Sequence, residues 1–230
     1  MAMQVLVIGA SRGLGLEFVV QYRAAGAAVT ATARSEEGLA RLRALGATAL
    51  PLDVTDTASA AGLAWQVDGA AFDVVVINAG VYGPRTQGLQ TPTEAEFDAV
   101  MHTNVLGPMR LLPQVAEALA APERASGGLP RIAVLSSRMG SIGLRASASG
   151  WLYRASKAAL NSVMKDAALT LQGRALCLAL HPGWVRTDMG GSEADIDAAT
   201  SVAGMCQTIA SLGPESHGGF FNFDGTPLAW

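Results

Sequence analysis

Near its start the chain passes from a short aliphatic run at residues 4–8 straight into Gly9-Ala-Ser-Arg-Gly13-Leu-Gly15, and then into a stretch with helical spacing. No other feature narrows the fold as much. A strand that turns sharply into a helix needs residues without a Cβ. The helix start so formed offers free N–H groups and the positive end of a dipole to an anion such as a pyrophosphate. The spacing Gly-x-x-x-Gly-x-Gly differs from the commoner Gly-x-Gly-x-x-Gly, so the loop alone does not separate a nucleotide site from an ordinary tight turn.

The rest of the chain repeats the theme. Aliphatic or β-branched runs at 28–33, 48–52, 73–77, 131–135 and 175–180 alternate with helical patterns such as 14–25, 36–45 and 57–67. Alternation of this kind predicts parallel βαβ units, and the unbroken Val74-Val75-Val76-Ile77 fits a strand covered on both faces. Residues 218–223 add a candidate seventh strand. The expected fold is a Rossmann-type α/β doubly wound parallel sheet of about seven strands, with helices on both faces, in a single domain spanning residues 1–230. Residues 121–130, with Pro122, Gly127, Gly128 and Pro130, read as a loop and not a linker.

Composition supports a large core, with 50% hydrophobic and 15% charged residues. A net charge of −3 without a basic run argues against nucleic acid and anionic membrane as partners. No apolar run reaches the roughly 20 residues of a membrane span. The start lacks the pattern of a signal peptide, so the expected location is cytoplasmic. Cys177 and Cys206 form neither a disulfide framework nor a metal motif, and no metal is expected.

Two further groups carry chemistry. Where NAD binders place an acidic residue after the second strand, this chain reads Ala33-Arg34-Ser35. Arg34, with Arg12 from the glycine loop, suits a 2′-phosphate, so NADP(H) is preferred and NAD(H) remains possible. Tyr153 and Lys157 lie four apart in a helical stretch and share a face. An ammonium beside a phenol is expected to lower the phenol's pKa from about 10, making Tyr153 a candidate proton donor or acceptor.

Together with Asp53-Val54, Asn78-Ala-Gly80, Asn104, Ser136-Ser137-Arg-Met-Gly140 and Pro182-Gly-Trp-Val-Arg-Thr187, these elements resemble the classical short-chain dehydrogenase/reductase family over essentially the whole chain. Val81-Tyr-Gly-Pro-Arg, the run from His181 to Gly191 and Phe223-Asp-Gly resemble its C-factor-like branch. The resemblance implies a catalytic set of Asn104, Ser137, Tyr153 and Lys157, with Tyr153 as general acid and Ser137 bonded to the substrate oxygen. Gly9, Ser11, Arg12, Gly13, Leu14 and Gly15 would hold the pyrophosphate and its surroundings. Asp53 and Val54 would meet the adenine, and Asn78, Ala79 and Gly80 would line the cofactor. Pro182, Gly183, Val185 and Thr187 would lie by the carboxamide, and Tyr153 and Lys157 by the nicotinamide ribose.

The residues allow some independent checks. Pro108 has no N–H for the Asn104 carbonyl four positions earlier, which frees that carbonyl for a water relay in one reading and kinks a helix in the other. Ser141 fits the usual distance from the tyrosine better than Ser137. Ser137 is preferred because it directly follows the fifth strand. Tyr82, Met139, Trp151, Trp184 and Met189 are either an apolar substrate wall or packing. His102, His181 and His217 read as structural or solvent-facing. Residues 187–199, rich in Gly, Ser, Glu and Asp, predict a mobile, open lid over several compact aldehydes or ketones.

The expected activity is NADPH-dependent interconversion of a carbonyl and an alcohol. The rivals are an NAD-linked alcohol dehydrogenase and a nucleotide-binding regulatory or signalling protein on the same scaffold. The partner is a small carbonyl or alcohol. Apolar stripes on 93–119 and 151–171 suggest a homodimer or homotetramer.

Overall fold

The structure is a computed structural model that describes residues 2–86, 88–121 and 128–230. Seven parallel strands form one sheet in the order β3-β2-β1-β4-β5-β6-β7. They are β1 (Gln4–Ile8), β2 (Ala28–Ala33), β3 (Thr48–Pro51), β4 (Val74–Ile77), β5 (Arg131–Leu135), β6 (Leu176–His181) and β7 (Gly219–Asn222). The helices are α1 (Gly13–Ala24), α2 (Glu36–Ala44), α3 (Thr57–Ala61), α4 (Leu63–Gln66), α5 (Glu94–Met101), α6 (Gly107–Glu117), α7 (Trp151–Thr170) and α8 (Ala198–Ser211).

Strand alternation divides the core in two. Val5, Val7, Val74 and Val76 face α1, α2 and α8, whereas Leu6, Ile8, Val75 and Ile77 face α3, α4, α6 and α7. Every residue of β4 is buried, which is why its sequence shows no polar alternation. Strand order reverses between β1 and β4, and the crevice at the carboxyl ends of such a pair is where open parallel sheets take ligands. The glycine loop leaves β1 at that point.

The expected fold is the one observed, including a parallel seventh strand, and the differences are local. The single helix expected at 57–67 is two short ones joined at Gly62. The helix expected at 93–119 is α5 and α6 with a π-helical turn, His102–Leu106, between them. Pro108 explains the turn: it cannot complete the ordinary bonding ladder, and the chain widens just before it. In the loop expected at 121–130, residues 122–127, including Pro122 and Gly127, lie outside the described residues. No helix among the described residues is long and apolar enough to cross a membrane.

Candidate active site

The glycine loop is held from three sides. Thr32 of β2 accepts from the Gly9 N–H at 3.0 Å and its carbonyl accepts from Ala10 at 2.8 Å, while Asn78 at the end of β4 donates to the Gly9 carbonyl at 2.6 Å. A Cβ at Gly9 would lie 2.8 Å from the Ala79 backbone, and one at Gly15 would overlap the Gly9 carbonyl. At Gly13, by contrast, a Cβ would meet only the Thr187 methyl, at 3.7 Å. Among the described residues, no side chain caps the N-terminus of α1. The loop is therefore packed tight behind and left with free N–H groups in front, the arrangement an anion requires.

Basic side chains gather at this end. Arg41 of α2 donates to the Ser11 carbonyl at 2.9 Å. It reaches the loop because Gly38 lets α2 lie against Ala33 and Ser11. Arg34 stands 4.0 Å from the Asp53 carboxylate. Asp53 accepts from the Thr55 N–H at 2.9 Å and hydroxyl at 2.7 Å, and these bonds together with Arg34 hold its carboxyl below the usual range despite partial desolvation. Val54 is buried beside it, against the α6 start at Gly107. Arg12 points instead at Asp188, at 2.7 Å.

Across the crevice, Ser137, Tyr153 and Lys157 come together. Ser137 begins a 3-10 turn, Arg138–Gly140, and Gly140 allows that turn to press on α7, since a Cβ there would sit 2.8 Å from the Lys157 backbone. The Ser137 hydroxyl accepts from the Met139 N–H at 3.1 Å and lies close enough to the Tyr153 phenol to favour its phenolate. Ser141, the alternative, is occupied elsewhere: it donates to the Trp230 carbonyl and accepts from the Leu144 N–H. Lys157 donates to the Leu135 carbonyl at 2.8 Å, and its Nζ lies 5.7 Å from the Tyr153 ring centre.

The protonation states differ from the sequence expectation. Burial pushes the Tyr153 phenol up to about 12, opposed by the nearby Ser137 hydroxyl and reinforced by the Tyr82 phenol. Burial likewise lowers Lys157 to about 8. The expected lowering of the phenol by the lysine is absent, because desolvation outweighs a charge that is turned toward a carbonyl.

Asn104 sits in the π-helical turn, fully buried. Its side chain accepts from the Val81 N–H and donates to the Val81 carbonyl, both at 2.8 Å, and donates to Ser156 at 2.9 Å. Ser156 in turn donates to the Tyr153 carbonyl. The side chain is thus a brace between the loop after β4 and α7.

The segment after β6, expected as a mobile lid, carries several hydrogen bonds. Besides Arg12–Asp188, Arg85 donates to the Met189 carbonyl and Trp184 to the Gly190 carbonyl, and the Arg186 N–H bonds to the Ile196 carbonyl. Pro182 is tied through its carbonyl to Ser201, Gly183 adopts φ +83° against Ile196, and Val185 is buried. Counting polar residues in the segment could not show partners that lie 104 and 176 positions away.

Of the suggested apolar wall, Tyr82 stacks on Tyr153, and Trp184 and Met189 remain partly exposed on the segment after β6. Trp151 joins Phe97 and Ala155 around a separate cavity of about 490 Å³. His217 bridges the Cys177 N–H and the Ala168 carbonyl, a structural role. Thr32, Gly38, Arg41 and Ser156 are additions to the sequence reading, with no motif of their own to signal them.

A family profile of the short chain dehydrogenases matches residues 3–197. The chain belongs to that family. It is 38% identical over 159 residues to the C-signal protein of Myxococcus xanthus, covering 69% of this chain and 92% of that protein. The carbonyl reductase Sniffer of D. melanogaster superposes with a TM-score of 0.91 at 32% identity, over 100% of both chains. A short-chain dehydrogenase/reductase from Burkholderia multivorans, solved with bound NADP, gives 0.87 at 30% identity, again over 100% of both chains.

Proposed function

We propose that this family member is an NADP(H)-dependent oxidoreductase that interconverts an aldehyde or ketone with its alcohol. The observation that carries the reading is the buried Tyr153 phenol, beside Ser137 and four residues from a buried Lys157, across the crevice from a glycine loop with free N–H groups.

The residues fit a dinucleotide. Gly9, Ser11, Arg12, Gly13, Leu14 and Gly15 hold the pyrophosphate region, where the tight back and open front of the loop leave room for phosphate oxygens. Arg34 and Arg12, together with Arg41, would select a 2′-phosphate. Arg12 would have to leave Asp188 to take part. Asp53 and Val54 would hold the adenine, and Asn78, Ala79 and Gly80 would line the cofactor. Pro182, Gly183, Val185 and Thr187 would hold the carboxamide, and Lys157 the nicotinamide ribose. The NADP-bound Burkholderia relative and the lack of an acid after β2 support this choice. When bound, the dinucleotide supplies the hydride.

The chain's own part is proton handling and orientation. At neutral pH the desolvated phenol keeps its proton, as a general acid must. Ser137 and Tyr153 hold the substrate oxygen, and Tyr153 gives it the proton as charge develops there. The Lys157 ammonium then returns a proton to the phenolate left behind, and the Asn104 carbonyl, denied an N–H by Pro108, would hold a water that resupplies the lysine. Because Lys157 titrates near 8, reduction should weaken above that pH as the ammonium is lost, a fall visible in a kcat/KM profile.

The decisive test is oxidation of NADPH, with NADH alongside, against a panel of aldehydes, ketones and diketones, with Tyr153→Phe as blank. Turnover that prefers NADPH and vanishes in the variant supports the reading. Tight NADPH binding with no turnover on any carbonyl favours the regulatory alternative. Arg34→Ala should weaken NADPH binding about tenfold and leave NADH binding alone. Equal effects on both would remove Arg34 from cofactor selection.

A further inference from the structure

The loop after β4 does more than follow the cofactor crevice. Tyr82 lays its ring on Tyr153, with centroids 4.6 Å apart and planes 23° from parallel. Offset stacks at this distance hold both rings and exclude water from the covered face. The guanidinium of Arg85 lies over the Tyr82 ring, 5.1 Å from its centre.

The surroundings are shaped for this ring. Gly150, the residue before α7, adopts φ +66°, and a Cβ there would come within 2.5 Å of the Tyr82 hydroxyl and 3.3 Å of the Met139 methyl. A side chain at 150 would displace the phenol. The loop carrying Tyr82 is fixed on both sides. Asn104 clamps Val81 with two bonds. Gly83, at φ +78°, turns so close to Val100 that a Cβ would overlap it, and Arg85 is bonded to the Met189 carbonyl. An aromatic ring on so constrained a loop has little freedom of its own, and it passes that order to the ring beneath.

We propose that Tyr82 is a positioning residue for Tyr153: stacked on the phenol and held by Gly150, Val81 and Arg85, it fixes the ring's orientation and closes one face to water. The inference builds on the reductase reading for its effect on turnover, but the stack itself is independent of any reaction. Tyr82 from the loop and Lys157 from α7 face the Tyr153 ring, and Arg85 lies over the Tyr82 ring of the stack. A phenol ordered and dried in this way keeps its proton until the substrate oxygen arrives. Through Arg85, the same loop is tied to the segment after β6, so movement of that segment reaches the catalytic ring.

The test uses Tyr82→Ala, Tyr82→Leu and Tyr82→Phe in the intact chain. Only three tyrosines are present, so tyrosinate absorbance after rapid alkaline jumps, with Tyr153→Phe subtracted in each background, isolates the Tyr153 phenol. In Tyr82→Ala that phenol should ionise at lower pH, and kcat should fall about tenfold with KM changed less than about threefold, the loss of roughly one stacked pair. Tyr82→Leu keeps bulk without a flat ring and should fall between, guarding against a collapsed loop. Tyr82→Phe should rescue both readouts. Unchanged titration and kcat in Tyr82→Ala, or a Tyr82→Phe as impaired as the alanine variant, would overturn the proposal. A shifted titration in a protein that turns over no carbonyl would uphold the stack and remove the reductase reading instead.

Discussion

The two ends of the crevice use charge in opposite ways. At the end that holds Tyr153 and Lys157, these residues are 7% and 4% exposed and are set by burial, a stacked ring and a hydrogen bond from Lys157 to Leu135. Around the glycine loop and the end of β2, the Arg12 and Arg34 side chains are 71% and 68% exposed and pair with Asp188 and Asp53 in water. Buried groups change their proton affinity and cannot move; exposed ones keep their charge and can change partner. Proton transfer needs the first property, and recognition of a phosphate that comes and goes needs the second.

The sharpest break in this comparison is Tyr153→Phe, which should lower kcat about a thousandfold while NADPH binding survives, since only the proton donor is lost. Equal loss of binding would mean the two ends are not separable. Gly15→Ala should do the reverse, destabilising the fold by about 3 kcal/mol and abolishing NADPH binding, because its Cβ would overlap the Gly9 carbonyl, which cannot yield. Denaturant melts and NADPH fluorescence would record both. Asn104→Ala removes three hydrogen bonds of a buried side chain and should cost about 2 kcal/mol, read from the same melts.

Lys157→Met sharpens the contrast by its sign. The lysine's pKa in the fold, about 8, lies below its ordinary 10.5, so the unfolded chain binds more protons between these values and wild-type stability rises with pH across that window. At pH 7 the buried charge is a burden. Its removal should raise Tm by about 3 °C while destroying turnover, and the gain should shrink toward pH 10. A lower Tm at pH 7 would show that the bond to Leu135 outweighs the desolvation. The smallest effect belongs to the exposed end: Asp188→Asn should move Tm by less than about 1 °C.

Much of this was legible in the chain. Aliphatic runs and glycine punctuation gave seven strands near their observed places, because a strand buried on both faces has few residues to choose from. Gly9 to Gly15 could be read as a turn into a helix, and Pro108 foretold trouble in the helix before it. The π-helical form of that trouble was not written locally, nor was the division of 57–67 at Gly62. Arg41 was invisible as a neighbour of Ser11 because it depends on how closely Gly38 lets α2 approach.

Local pattern by itself determined the sheet, the loop and the four-residue spacing of Tyr153 and Lys157, since periodicity and missing Cβ atoms act over a few bonds. Tertiary structure alone decided the rest. It turned Lys157 toward Leu135, engaged Ser141 with Trp230, laid Tyr82 on Tyr153 and bonded the segment after β6 to arginines far away in the chain. Desolvation and stacking depend on what surrounds a group in space, and a linear sequence does not state its surroundings.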